Sequence, residues 1–298
     1  DTRSYYFPTN YKTLEEEGTM LGIQLINCRP KEQKELTYPQ YNCVGRFEQL
    51  RLLSHPCISH YLDIIPAQHN ETYLLMETYK TTLCDKIPSI STKEGIRALQ
   101  DIIEGVQYLH QHSITVGLLD PKCIHITNTD VTKVSNYALY HISEENKFFS
   151  CKHHLVTLAP EVVTKTIYTF NSATDVFAIG MIAIYISIHM IPTPIQYIKF
   201  LYDIAQLATS HCEECPNCRE KHCETFNEQV HELIKTHFNT DIQMNPSITA
   251  CINPKPDFRP TIDELLTVPI FTEKRPQTQL MEQEPLELIN FSYKDRKS

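Results

Sequence analysis

Two stretches of this 298-residue chain concentrate side chains with chemical reach. The first, SHCEECPNCREKHC, sets Cys212, Cys215, Cys218 and Cys223 close together, beside His211 and His222. Thiolates at C-x2-C spacing suit a tetrahedral zinc ion. Here two such steps share Cys215, which is tighter than a usual zinc knuckle. Two readings therefore stand: a structural zinc site, and a reduced polar insertion that carries no metal. The second stretch, SITVGLLDPKCIH, runs from Ser113 to His125 and gathers Asp120, Cys123 and His125 around Pro121. A loop aspartate at hydrogen-bond reach of a substrate hydroxyl can act as a general base. The plainer reading of Asp120 is an N-terminal loop carboxylate beside Pro121.

The elements that must position these residues can be read on either side. Before Ser113 lies GIRALQDIIEGVQYLHQH, with Ile96, Leu99, Ile103 and Val106 on one apolar stripe. Ser91 and Glu94 stand ahead of it at capping-box spacing, so a helix is predicted. After the loop, CIHITNTDVTKVSNYAL predicts a hairpin that turns at TNTD. Further upstream, YNCVGRFEQLRLLSHP predicts a helix through Val44, Phe47, Leu50 and Leu53, ended by His55-Pro56. YLDIIP and TYLLMETY predict strands joined by AQHNE, and the first 40 residues predict short strands that include TMLGIQLINC.

Downstream, the irregular YHISEENKFFSCKHH leads to VFAIGMIAIYISIHMIP, which starts at Val176 with Asp175 expected to cap it. That run is short for a membrane span and carries His189, so a buried core helix is expected and no membrane span. The fold class is α+β: a small β-rich part over 1–80, then a helical part over 81–273 with the Cys-rich insertion near 211–223. A polar tail or linker follows over 274–298.

Composition removes several function classes. With 27 basic against 36 acidic residues the net charge is −9, and no basic run has interleaved aromatics, so nucleic acid is not an expected partner. Forty-one per cent apolar residues supply a sizeable core. Eleven cysteines, an odd number, without a signal peptide favour reduced, cytosolic thiols. The opening DTRSYYF has neither Met nor an apolar signal region and reads as the edge of a fragment. The seven glycines, at 18, 22, 45, 95, 105, 117 and 180, form no G-x-G pair.

Taken in order, YLLMETY, YLHQHSI, the loop at Pro121, KVSNYAL, LAPEVV, TDVFAIGMI and DFRPTIDELLTVPIF resemble the protein kinase fold, from about Arg46 to Phe271. The resemblance implies two lobes, a small β-rich N-lobe and a larger helical C-lobe. It implies that Glu161 of LAPE pairs with Arg259 of RPT, and that Asp175 holds the backbone of the catalytic loop. Leu50, Val116 and Tyr137 match positions of the hydrophobic spine inside an ordered kinase core.

The same resemblance places the wrong residue types at the chemical positions. Phosphoryl transfer needs a phosphate-covering glycine loop, a Lys–Glu pair, a base and metal ligands. Arg46 stands where the helix should present Glu, and GIQLI offers no Lys. Lys31 and Lys34 lie in polar sequence and read as surface residues. Val116, Gly117 and Leu118 stand for His-Arg-Asp, so Leu118 replaces the base. Asp120 replaces the catalytic-loop Lys, and Cys123 replaces the metal-binding Asn. Asn136, Tyr137 and Ala138 replace Asp-Phe-Gly, and a neutral amide is a poor Mg²⁺ ligand. His125 falls where an apolar residue should underlie the adenine ring.

Loss of a base alone typically costs about 10²–10⁴ in rate. The resemblance therefore implies a pseudokinase that acts as a binding, scaffolding or regulatory module. No cofactor is expected for catalysis, and neither ATP nor Mg²⁺ is expected to bind. Two other readings stay open: an atypical active kinase with Asp120 as a displaced base, and an interaction scaffold stabilised by zinc.

More narrowly, GRFEQLRLLSHPCISHYLDI, the inverted Arg46 and ALYHIS are similar to the N-terminal kinase-like domain of TBC-domain-containing protein kinase-like proteins. That family joins the domain to a TBC domain acting on Rab GTPases and to a rhodanese-like domain, in an endosome-associated assembly with a large coiled-coil partner. The implied partners are Rab GTPases or that assembly, and the implied location is cytoplasmic with endosome association. No residue of this chain is assigned a role in GTPase activation.

Overall fold

A computed structural model of the chain describes residues 12–16, 19–26, 47–66, 72–139, 156–164, 170–211 and 224–271. The inverted Arg46, the lysines 31 and 34, and the cysteines 212, 215, 218 and 223 lie outside the described residues.

The N-terminal part is a four-stranded antiparallel sheet of β1 (Lys12–Glu16), β2 (Thr19–Ile26), β3 (Tyr61–Pro66) and β4 (Thr72–Glu77), in the order β1-β2-β4-β3. A short helix, α1, over 47–51 presents Phe47 and Leu50 to the core. A second, small sheet joins β5 (Thr81–Thr82), β6 (Ile124–Ile126) and β7 (Thr132–Val134). Its β6–β7 hairpin pairs Ile124 with Val134 and Ile126 with Thr132, and it turns at TNTD as the alternation predicts.

From Leu83 onward the described chain is chiefly helical. The helices are α2 (Leu83–Lys86), α3 (Thr92–Gln111), α4 (Pro160–Thr164), α5 (Ser172–Ile188), α6 (Pro194–His211), α7 (Glu224–Phe238), α8 (Pro246–Cys251) and α9 (Ile262–Leu266). The capping box of α3 forms as its spacing predicts. Glu94 N–H donates to Ser91 Oγ at 3.3 Å, and Ser91 N–H donates to Glu94 Oε2 at 2.8 Å. The hydrogen bonds from Ser91 hold the Glu94 carboxyl down at about 2.

Helix α5 is the axis of the C-terminal part: every residue from Thr174 to Ile186 is buried. A helix that is apolar all round must be surrounded by protein or lipid, and here α3, α8 and the segments around them enclose it. Gly180 permits the close approach of α8. A Cβ there would meet Cys251 Cβ and Ile252 Cγ2, each at 2.7 Å. Among the described residues no helix is long and apolar enough to cross a membrane.

The expected cap of α5 is corrected. Asn171, not Asp175, closes its start, through Thr174 N–H to Asn171 Oδ1 at 3.0 Å and Asn171 N–H to Thr174 Oγ1 at 3.1 Å. The helix thus begins at Ser172, and Asp175 falls inside its first turn with its carboxylate free for other work. Described cysteines 57, 84, 123 and 251 are free thiols.

Candidate functional site

The loop from Ser113 to Ile124 lies between α3 and β6 and is gripped from α5. Asp175, almost fully buried, accepts Val116 N–H on Oδ2 at 2.8 Å and Gly117 N–H on Oδ1 at 2.9 Å. His110 Nε2, from the last turn of α3, also lies 2.8 Å from Asp175 Oδ2. Gly117 has a φ of 81°, a left-handed conformation that glycine adopts without a Cβ penalty. One carboxylate thus fixes the loop by its backbone, whatever side chains the loop carries.

A second anchor lies on the far side of α5. Arg259 Nη1 and Nη2 donate to the two oxygens of Glu161 at 2.7 and 2.9 Å, a bidentate pair. Its remaining N–H groups go to the carbonyls of Asn253, Ala173 and Pro254, and its guanidinium stacks over Phe177. The segment leading into α4 is fastened as well: Tyr185 and Tyr197 donate their hydroxyls to the carbonyls of Val156 and Leu158. Thr157 Oγ1 bonds the Leu119 carbonyl at 2.7 Å and so ties this segment to the loop.

These two anchors and the loop between them decide the family. Residues 13–271 match the family described as Protein kinase domain. The chain belongs to that family. A TBC domain-containing protein kinase-like protein of Homo sapiens is 22% identical over 259 residues, 81% of this chain and 28% of the relative. One of Dictyostelium discoideum is 28% identical over 166 residues, covering 51% of this chain and 16% of the relative. The carbon catabolite-derepressing protein kinase of Candida albicans is 26% identical over 194 residues, 62% of this chain and 30% of that protein. The chain therefore spans under a third of the length of each of these relatives. The crystal structure of Rad53 in complex with AMP-PNP superposes with a TM-score of 0.57 at 18% identity, over 85% of this chain and 58% of that one. That likeness speaks to fold alone.

The singled-out positions that are described have definite places. Leu118 is buried, as are Val116 and Leu50, in one hydrophobic core that also holds Tyr137. Asp120 caps the turn Pro121–Cys123, with Lys122 N–H on Oδ1 at 3.0 Å. Its other oxygen, Oδ2, is buried without a hydrogen bond among the described residues. Burial raises the Asp120 carboxyl, and the Lys122 amide and charge together with the Val156 backbone amide only partly oppose it.

Cys123 and Asn136 satisfy each other: Asn136 Nδ2 donates to Cys123 Sγ at 3.2 Å, while Asn136 Oδ1 has no partner among the described residues. Burial, then the charge of Asp120, pushes the Cys123 thiol up to about 12. A neutral thiol bonded to a neutral amide is a poor donor set for Mg²⁺, which takes carboxylate and water oxygens. The metal that the fold family implies does not fit these residues.

Three features were not legible in the sequence. The Tyr79 ring, just past β4, lies flat on His125, with centroids 3.8 Å apart and planes 15° from parallel. His125 is itself buried, 3.4 Å through Nδ1 from Ser59 Oγ, and burial pulls its imidazole down to about 3. Tyr61 joins the spine positions: its ring stacks on Tyr137 at 4.4 Å, and Phe47 continues the stack at 6.1 Å. Finally, Lys133 of β7 donates to both oxygens of Glu77 at 2.8 Å and ties the end of β4 to the second sheet. Only the aromatic residue directly after a strand could have hinted at the first of these.

Proposed function

We propose that this kinase-family domain is catalytically inactive and serves as a binding, scaffolding or regulatory module. The observation that carries the reading is the loop held by Asp175. Its backbone is fixed as if for catalysis, yet a buried Leu118 occupies the place of the base. The Cys123–Asn136 pair supports it, since two metal-ligand positions are spent on each other. The Tyr79–His125 stack supports it further, because one face of His125, at the position expected beneath an adenine ring, is covered by a ring. Among the described residues, the Cys123–Asn136 pair offers Mg²⁺ no carboxylate.

Thermal unfolding with ATP, with and without Mg²⁺, tests this reading. No shift of the midpoint is expected in either case. A Mg²⁺-dependent rise, or transfer of phosphate to a peptide hydroxyl, would overturn it. The competing reading of Asp120 as a displaced base draws on its raised carboxyl. It predicts phosphoryl transfer that Asp120→Asn abolishes.

The relatives extend the proposal to context. The domain belongs, on this reading, to a Rab GTPase-activating TBC protein, cytoplasmic and associated with endosomes, with Rab GTPases or a coiled-coil endosomal assembly as partners. Its similarity to the TBC domain-containing kinase-like proteins supports this. Reading the coding frame beyond Ser298 tests it most directly: a TBC domain is expected there, and a frame without one removes this context.

A further inference from the structure

Large apolar side chains exposed singly are ordinary on a protein surface, whereas several on one face mark a contact. Among the described residues six large apolar side chains are exposed, and three of them share one side of α6. Ile195, Ile198 and Tyr202 are 69%, 55% and 66% exposed, at the i, i+3, i+7 spacing of a single helix face. The opposite face, with Tyr197, Phe200, Leu201 and Ile204, is buried in the core. Helix α6 is therefore apolar on both sides, and one side stands open. Lys199 is exposed beside the stripe and is the only charge between Ile195 and Tyr202. Asp203, the next residue, is turned to His237 of α7 at 2.7 Å.

A cover for this face must be apolar at the same spacing and acidic at its edge. The chain carries such a segment beyond Phe271. Leu286, Ile289 and Tyr293 repeat the i, i+3, i+7 spacing. Glu282, Glu284 and Glu287 make the stretch acidic, with no Lys or Arg between Met281 and Tyr293. Pro285 ahead of Glu287 is a helix-start signal. Two helices with apolar stripes at this spacing mesh along a shared seam. Reach is sufficient: the chain from Phe271 to Leu286 extends to about 50 Å, against a radius of gyration of about 18 Å for a domain of this size. A second copy is a poorer cover, since it brings another net charge of −9 to the contact. A tethered segment instead acts at an effective concentration of about millimolar, so a modest seam suffices. We infer that the open face of α6 is an interaction surface for this chain's own segment 285–293, stripe against stripe, with Glu287 drawn to Lys199. The inference does not depend on whether the domain catalyses phosphoryl transfer.

Hydrogen exchange followed by mass spectrometry on the full chain tests it. Ile198→Glu replaces an exposed side chain and Ile289→Glu one beyond Phe271, so neither removes a described core residue. Each is expected to speed amide exchange across 286–293 by about tenfold or more, and the double variant to add little to either. Lys199→Glu should speed it about threefold, and Glu287→Lys in the same chain should restore it. Unchanged exchange at 286–293 in Ile198→Glu, or no recovery by the charge swap, would overturn the proposal. So would a dimer in sedimentation that Ile198→Glu dissociates and Ile289→Glu leaves intact, because a second copy would then hold the face.

Discussion

Two buried polar clusters flank α5, and they are completed to opposite degrees. Around Arg259 every guanidinium N–H has an acceptor: two carboxylate oxygens and three carbonyls. Around the loop, Asp120 Oδ2 and Asn136 Oδ1 have none among the described residues. The Glu161–Arg259 cluster and Asp175 work by gripping backbone and one another, so they hold distant segments of the fold together.

The largest effect that would break this contrast lies at the anchor. Arg259→Ala strands the Glu161 carboxylate and three carbonyls, and should cost about 3–5 kcal/mol in urea unfolding. Arg259→Lys should recover little of it, because a single ammonium cannot reproduce the fork. A loss below about 1 kcal/mol, the value of a surface pair, would mean that the anchor is no frame at all.

Asp175→Asn comes next. The amide can accept from only one of the two loop N–H groups and turns a donor toward the other. The expected loss is about 1.5–3 kcal/mol. Amide exchange at Val116 and Gly117 should speed up in the same variant, and unchanged protection there would detach the loop from α5.

The third effect is a pH slope at His125, which grows only as the solution is acidified. Its imidazole is held at about 3 in the fold by burial, below the ordinary 6.5. Between those values the unfolded chain binds the extra proton, so stability is intact above pH 6.5 and declines as pH falls toward 3. The slope from this group is about 1.4 kcal/mol per pH unit. His125→Leu should lose that part of the acid sensitivity and match the wild type's own pH dependence above pH 7. Parallel unfolding curves for the two proteins from pH 7 to 5 would remove His125 from the buried cluster.

Much of this was legible before any coordinates. The order of LAPE, RPT and the loop at Pro121 specified the frame, because those strings encode backbone geometry and one ion pair. The hairpin and the capping box followed from two-residue and three-residue spacings. The cap of α5 did not. Asn171 and Thr174 outcompete Asp175 because a cap must lie ahead of the first turn, and the apolar run begins only after that turn is complete. The Tyr79–His125 stack was hidden for a different reason. It joins a residue in the link after β4 to one on β6, and no spacing in sequence encodes which rings will lie flat on each other.

Tyr137 carries a consequence of its own. Its hydroxyl donates to the Ser59 carbonyl at 2.9 Å, and its own carbonyl accepts from Tyr61 at 3.1 Å. On either side, Asn136 and Ala138 both hold a φ of 57°. A ring tied at head and tail, between two wound backbone units, can change posture only by giving up both hydrogen bonds at once.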